Sequence, residues 1–378
     1  MSAALATLAR HRLHSLCPYF AMFPETFVRD QLERYTSEGD LVFDPFSGRG
    51  TTVLESLLMG RDALATDINP VAFCISAAKA QLPSLSRSLT EIDRLAGSFE
   101  RCNRSLIEQQ AMELPAFFKR AFYHSTLEQL LFLRGCLKWK TDKTHRFIAA
   151  LTLGSLHGEM DKSSSYFSNQ MPRSISTKPA YSLKYWRDND LWPKKRNVFE
   201  LLRERAEFRF RSEPPVRRGT VKLGDARRSA DFFRAAIGRV KAVITSPPYL
   251  DVTRYEEDQW LRLWFLGGLP EPTYGAISRD DRHCSEPKYW QFLADVWKGF
   301  QPMLAKKAVL VCRIGAKGLD LEALSLGLRQ SLRAASVRFR AIEGPTVTRI
   351  HKRQTDYFRP GSKGCLYEAD FVFQLCTQ

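Results

Sequence analysis

No stretch of this chain approaches the ~18 consecutive apolar residues of a membrane-spanning helix, and the N-terminus has arginines and histidines where a secretory leader would place an apolar core. A soluble, cytoplasmic protein is expected. The cysteines, Cys17, Cys74, Cys102, Cys136, Cys284, Cys312, Cys365 and Cys376, have neither the close pairs nor the Cys/His spacing of a zinc site or a disulfide framework. That pattern fits a reducing compartment and predicts no metal. Acidic residues are in deficit: 41 Asp and Glu stand against 57 Lys and Arg, a formal net charge of +16. The imbalance favours a polyanionic partner, nucleic acid first, although a basic soluble enzyme has the same composition. Internal repeats and low-complexity tracts are missing too. With 44% hydrophobic and 26% charged residues, the 378-residue chain has the make-up of a folded globular protein.

What is present alternates. Leu41-Val42-Phe43-Asp44 reads as a short buried strand, followed by a Gly/Ser-rich turn and a helical apolar pattern from Thr51 to Leu58. Ala63 to Asp67 predicts a second strand; Asn69 as N-cap and Pro70 at the first helical position then open a helix through Lys79. Such alternation predicts an α/β fold with a doubly wound, mostly parallel sheet. From Leu82 to Arg218 it stops, and the chain becomes mainly helical, aromatic and basic. It resumes with a strand at Val221 to Asp225, a helix over Asp231 to Ile237 and a strand at Val240 to Ile244. Thr253-Arg254-Tyr255-Glu256 has the form of a capping box, and Trp260, Leu261, Trp264 and Phe265 give the following helix an apolar face. Helices are expected over Tyr289 to Leu304 and Leu319 to Leu332, a buried strand over Ala308 to Cys312, and two closing strands, able to pair antiparallel, over Val337 to Ile342 and Ala369 to Leu375. The expected division is two halves of one seven-stranded sheet, residues 1–81 and 219–378, around a helical, basic insertion at 82–218.

Three ligand-facing strand ends and a proline loop are expected to converge on one crevice. Asp44-Pro45-Phe46-Ser47-Gly48-Arg49-Gly50-Thr51-Thr52 puts glycines at a strand-to-helix turn, where a ligand can approach the backbone. The lysine of a P-loop and the full G-x-G-x-x-G spacing are both missing, which argues against ATP and NAD. Asp67, at the end of the next strand, suits ribose hydroxyls. Asp225 ends the third strand and suits an adenine amino group, or else caps the next helix. Thr245-Ser246-Pro247-Pro248-Tyr249 follows the fourth strand: the prolines fix φ at about −65°, lack N–H donors and leave carbonyls to accept from a substrate amine, and Tyr249 offers a stacking face.

Together, Asp44 to Thr51 and Thr245 to Tyr249 resemble the S-adenosylmethionine-dependent DNA amino-methyltransferases, over roughly Tyr19 to Ala80 and Val221 to Leu375. The resemblance implies a Rossmann-like sheet, with residues 1–81 as cofactor half and 219–378 as catalytic half. It also implies S-adenosylmethionine held by Phe46, Gly48 and Gly50, ribose bound by Asp67, and catalysis by Ser246, Pro247, Pro248 and Tyr249. Asp44, Ser47, Thr51 and Asp225 are expected to complete the cofactor site. Tyr19 to Pro24 is similar to the family's extra cofactor wall, which adds Tyr19 and Phe23. Serine in the Ser-Pro-Pro-Tyr form implies the exocyclic N4 of cytosine, with adenine N6 as the alternative. The order of motifs departs from many family members, since the cofactor half comes first and the insertion follows the second strand. A ring-carbon methyltransferase would need a nucleophilic cysteine, and Cys17-Pro18 lies in the wrong place, before the cofactor strand.

The expected partner is double-stranded DNA in bacterial or archaeal DNA modification, at the nucleoid, with or without a cognate restriction enzyme. Phosphate contacts are expected from Arg173, Lys184, Arg187, Lys194, Lys195 and Arg196 in the insertion and from Lys352, Arg353, Arg359 and Lys363 near the C-terminus, where a solvated basic surface is the bland alternative. Asn169, Gln170 and Arg173 are residue types that read base edges. His124, His145 and His157 are expected to be structural. Methylation of RNA or of protein glutamine, and a catalytically silent DNA-binding module, are the competing functions.

Overall fold

The computed structural model describes residues 10–19, 24–160, 166–172, 178–250, 255–273, 285–316, 318–350, 365 and 367–376. Helix α1 (Glu25–Tyr35) leads into β1 (Leu41–Asp44), α2 (Thr51–Leu58), β2 (Asp62–Asp67) and α3 (Pro70–Ala80). Asn69 caps α3 as expected, its side chain accepting from the Val71 N–H. After a run of helices, seven among the described residues, β3 (Thr220–Leu223) and β4 (Val240–Thr245) complete the parallel core with β5 (Leu304–Ile314). The order is β3-β2-β1-β4-β5-β7-β6, where β6 (Arg338–Arg349) and β7 (Tyr367–Cys376) pair antiparallel and β7 runs antiparallel to β5. Seven strands with the antiparallel one next to the end make this a Rossmann-like methyltransferase sheet, as expected.

Period-two alternation sorts the strand side chains onto two faces. Val42, Ala242, Ile244 and Val311 pack against Val28 and Leu32 of α1. Phe43, Val243, Leu310 and Cys312 face the opposite layer, built by α13 (Glu286–Phe300) and α14 (Leu321–Ala334). Two expected helices are shorter than predicted. The pattern over Asp231 to Ile237 forms one turn, Ser229–Phe232, and a 3-10 turn, Arg234–Ala236, because Phe233 between them leaves helical geometry at φ −125°, ψ 48°. Helix α13 ends at Phe300 rather than Leu304: Pro302 lies in a 3-10 turn, Gln301–Met303, and has no N–H to continue the ladder. The chain from Leu304 joins β5 instead. The Thr253 to Glu256 capping box lies outside the described residues apart from the start of α12 (Tyr255–Phe265).

Between β2 and β3 run α4 (Leu85–Arg101), α5 (Ser105–Glu113), α6 (Ala116–Ala121), α7 (His124–Cys136), α8 (Lys143–Leu153), α9 (Pro179–Asp188) and α10 (Val198–Arg209). They are not a detached module. Phe147, Ile148 and Leu151 of α8 share one apolar cluster with Val71, Phe73 and Ile75 of α3. Helix α12 enters the same cluster: Trp264 lies 4.5 Å from Phe118 between ring centroids, and Trp260 lies 5.1 Å from Phe117. Arg134 on α7 donates to the Trp264 carbonyl at 2.8 Å. The helix that follows the Ser-Pro-Pro-Tyr loop is thus bolted into the insertion.

Candidate active site

The carboxyl ends of β1, β2, β3 and β4 fall on one edge, as their parallel registers require: Asp44 pairs with Ala65, and Asp67 with Leu223. At that edge the glycine bend is held from three sides. Gly48 and Gly50 have φ of +49° and +75°, left-handed values that disfavour a side chain. A Cβ on Gly50 would lie 2.7 Å from the Ser76 Cβ, so the bend sits flush on α3. Ser47 Oγ pairs with Ser76 Oγ at 3.0 Å, and the Ser47 N–H donates to the Thr66 carbonyl at 3.0 Å. Below, the buried Lys79 ammonium donates to the Arg49 carbonyl at 2.5 Å. Burial, with the Arg49 charge nearby, pulls the Lys79 pKa well below the ordinary lysine value. Arg49 folds back on Thr51, Nε to Oγ1 at 3.1 Å, so the Thr51 hydroxyl holds a side chain at the start of α2.

Asp67 couples bend and second strand. Its Oδ2 accepts from the Gly48 N–H at 2.8 Å and its Oδ1 from the Asn69 N–H at 2.9 Å. The carboxylate is half-buried at the carboxyl end of β2. Next to it Ile68 is 44% exposed, an apolar side chain at a ligand edge that sequence reading passed over. Its signal was its place, directly after the acidic residue. Tyr19 is buried with its ring over Gly48, 3.6 Å from where a Cβ would sit. Phe46 packs on Phe292 at 5.8 Å between centroids. Phe23 lies outside the described residues.

Asp44 faces inward. At 2% exposure its Oδ1 accepts from the Thr245 hydroxyl at 2.7 Å and from the Phe46 N–H at 3.0 Å. Burial pushes its carboxyl up to about 6 despite those bonds. The Thr245 bond joins the last residue of β1 to the residue before Ser246, so the glycine bend and the proline loop spring from one tied pair of strand ends. Asp225 makes the other of its two expected uses: it caps the 3-10 turn Ala226–Arg228 and takes Arg227 Nε on both oxygens at 2.9 Å. Burial alone would raise its carboxyl, and the Arg227 bonds outweigh that and hold it below the usual range.

In the proline loop, Ser246 and Pro248 are half-buried and Pro247 is buried. Tyr249 is 8% exposed, and its hydroxyl donates to Glu368 Oε1 on β7 at 2.9 Å. The Ser246 hydroxyl lies 3.4 Å from the Tyr249 oxygen, as donor. Burial first, and the Glu368 charge second, push the Tyr249 phenol well above its ordinary value. Glu368 faces Arg313 Nη1 at 3.8 Å, and Arg313 grips Asp370 through two bonds of 2.6 and 2.8 Å while stacking 3.8 Å over the Phe27 ring. Glu368, Arg313 and Asp370 were not anticipated. The alternation of Glu368 and Asp370 on one face of β7 was their trace in the sequence.

The expected base-reading and DNA-facing side chains divide. Asn169 is buried and donates to the Arg120 and Leu191 carbonyls, a structural use that removes it as a base reader; Gln170 donates to the Glu159 carbonyl. Lys184 on α9 is exposed and paired with Asp188 at 2.6 Å, Arg187 donates to the Leu183 carbonyl at 3.3 Å, Lys194 and Lys195 are exposed, and Arg196 is half-buried. Arg173, Lys352, Arg353, Arg359 and Lys363 lie outside the described residues. His157 and His145 are structural, bonded to Ser168 and Glu91. His124 is exposed and lies against Tyr123. Cys17 is buried, and burial raises its thiol, which suits an inert packing residue. Among the described residues no group of three or more His, Cys, Asp or Glu could hold a metal ion.

Residues 6–78, spanning β1, the bend, α2, β2 and most of α3, match the family described as DNA methylase. Over that stretch the chain is similar to the DNA amino-methyltransferases. Its relatives include the type II methyltransferase M.MjaII of Methanocaldococcus jannaschii, 35% identical over 18% of this chain and 13% of that protein. The orphan methyltransferase M.BamHII of Bacillus amyloliquefaciens is 43% identical over 13% of this chain and 18% of its own length. The type II methyltransferase M.BsoBI of Geobacillus stearothermophilus is 29% identical over 32% and 23%. The matched stretches thus span less than a quarter of each relative. TrmN from Thermus thermophilus superposes with a TM-score of 0.36 at 11% identity, over 97% of this chain and 52% of that one. The strand order, not that likeness, defines the fold.

S-adenosylmethionine is the cofactor of this family, and the edge fits it. The bend carries no side chain at Gly48, where one would close on Tyr19, and Asp67 beside exposed Ile68 pairs an acceptor for hydroxyls with an apolar surface for a ring.

Proposed function

We propose that this protein is an S-adenosylmethionine-dependent DNA methyltransferase that methylates the exocyclic N4 of cytosine. The observation that carries this reading is the Thr245 to Asp44 bond of 2.7 Å, which starts the proline loop and the glycine bend from neighbouring strand ends on one edge. When bound, the cofactor supplies an electrophilic methyl on its sulfonium. This chain's residues do the rest. Phe46, Gly48 and Gly50 seat the methionine part, Asp67 takes the ribose, and Tyr19 walls the bend. Ser246 and the Pro247 carbonyl accept the amine's hydrogens, drawing the nitrogen lone pair out of ring conjugation and towards the methyl. A base inside a duplex cannot reach that corner, so it is extruded, at a cost of about a few kcal/mol, and Tyr249 offsets part of this by stacking. Orientation of the amine in line with the transferring methyl supplies a large share of the rate. Residues 82–218 and the basic segment near the C-terminus hold the DNA backbone.

Transfer of labelled methyl groups to duplex DNA, RNA and protein in parallel, followed by digestion and mass spectrometry of the product, tests the reading. N4-methylcytosine in DNA is expected. N6-methyladenine would overturn the cytosine assignment, and label in RNA or protein would overturn DNA as substrate. Tyr249→Ala should lower turnover by at least about tenfold while calorimetry finds cofactor affinity little changed; an equal loss of affinity would place Tyr249 in the cofactor site instead.

A further inference from the structure

Direct transfer to an amine leaves a proton that must go somewhere. The N–C bond forms as the S–C bond breaks, the electron pair returns to sulfur, and the nitrogen, now carrying the methyl and a positive charge, must shed a hydrogen. The hydroxyls at this corner point one way. Ser246 Oγ donates towards Tyr249 Oη at 3.4 Å, and Tyr249 Oη donates to Glu368 Oε1 at 2.9 Å. With its own hydrogen committed to Tyr249, Ser246 turns oxygen lone pairs outward, which is the polarity needed to accept from an amine. The first link is long for O–H···O, as catalytic hydrogen bonds often are before substrate binds.

We propose that Ser246, Tyr249 and Glu368 form a proton relay, in which the proton released by the methylated amine passes to Ser246 Oγ, the serine proton to Tyr249 Oη and the tyrosine proton to the Glu368 carboxylate. The relay rests on the function proposed above. Atoms and charge balance: the nitrogen becomes neutral and Glu368 becomes a carboxylic acid, which gives its proton to water through a side chain 21% exposed. Glu368 acts through Tyr249 and does not touch the base. Among the described residues three groups face it: the Tyr249 hydroxyl, the Arg313 guanidinium of β5 and the Asp370 carboxylate of its own strand. Burial raises the Glu368 carboxyl, Tyr249 and Arg313 counter this, and Asp370 adds to it, leaving a stronger base than an ordinary glutamate. A purely structural Tyr-Glu bond would leave a different record. Nothing in packing requires the serine hydroxyl to sit on the same chain of donors.

Single-turnover methylation of duplex DNA by the full-length protein tests the relay with Tyr249→Phe, which keeps the ring, and Glu368→Gln, which keeps an acceptor of the same shape. Each should slow the chemical step by about 10²-fold, in the range of general acid–base catalysis, with cofactor and DNA affinities unchanged. The double variant should be no slower than the worse single, since both break one path. In wild type the rate should rise with pH as Glu368 ionises, and Glu368→Gln should lose that limb. A wild-type rate in Tyr249→Phe, or losses that multiply in the double variant, would overturn the relay while leaving the methyltransferase reading intact. If wild-type protein methylates no DNA but Ser246→Ala and wild type bind the cofactor alike, the reading itself fails and the relay with it.

Discussion

At the residue scale the site is built from buried polar groups whose alternatives are costly. Asp44 is the clearest. Its carboxyl sits at about 6 because burial outweighs the bonds from Thr245 and Phe46. In the unfolded chain it titrates near the ordinary 3.8. Between these values the native state binds more protons than the unfolded one, so this residue's contribution to stability is present below about pH 4 and lost as pH rises through about 6. Asp44→Asn keeps an oxygen for both donors and removes the charge. Melting temperatures from pH 4 to 7 should show wild type losing ground to the variant by roughly 2–3 kcal/mol of stability across that window; parallel curves would mean that Asp44 titrates normally. Gly50→Ala tests the bend. A methyl group would meet Ser76 at 2.7 Å and sit at φ +75°, so denaturant unfolding should register a loss of at least about 2 kcal/mol, with weakened cofactor binding. An unchanged midpoint would show that α3 can retreat.

At the element scale the proline loop depends on strands that lie far away in sequence. Arg313 and Asp370 are register partners across β5 and β7, which is why two bonds of 2.6 and 2.8 Å form between residues 57 positions apart. The same face of β7 presents Glu368 to Tyr249. Arg313→Leu strands the buried Asp370 carboxylate, and breaking such a pair from one side typically costs about 3–5 kcal/mol. Adding Asp370→Leu should return most of that stability, because apolar replacement of both partners is often neutral. Chemical denaturation of the two variants checks this; a double variant as weak as the single would mean that the pair contributes more than it costs to bury. The β1–bend–α2 and β2–α3 units were legible because their signals are short-range: a glycine turn, an Asn-Pro cap, period-two apolar runs. The helix expected over Asp231 to Ile237 failed for the converse reason. Its apolar spacing is satisfied by one turn plus a 3-10 turn, with Phe233 and Ala236 packed under α13.

At the scale of the whole molecule, charge and layering decide how the site meets a partner. The net charge of +16 predicts DNA affinity that falls steeply with salt, with log K linear in log salt concentration. The basic side chains are not equivalent. Lys184 is tied to Asp188, whereas Lys194 and Lys195 are exposed in the segment between α9 and α10. Replacing Lys194 and Lys195 together by alanine should weaken DNA binding several-fold and lower the salt slope by about 2, against little change for Lys184→Ala. Fluorescence anisotropy at several salt concentrations measures both; equal effects would remove this segment from the DNA surface.

The sequence by itself determined the strand-and-helix alternation, the glycine bend, the acidic residue after β2 and the proline loop after β4, since each is written in neighbouring residues. Tertiary structure decided which way the side chains are used. Asp44 turned inward to tie two strand ends, Asp225 closed on Arg227, Asn169 went to backbone carbonyls, and Tyr249 found Glu368. Those partners lie up to 201 positions apart in the chain. Leaving a buried donor or acceptor unpaired is costly, and which partner is within reach follows from the sheet's register and not from local pattern.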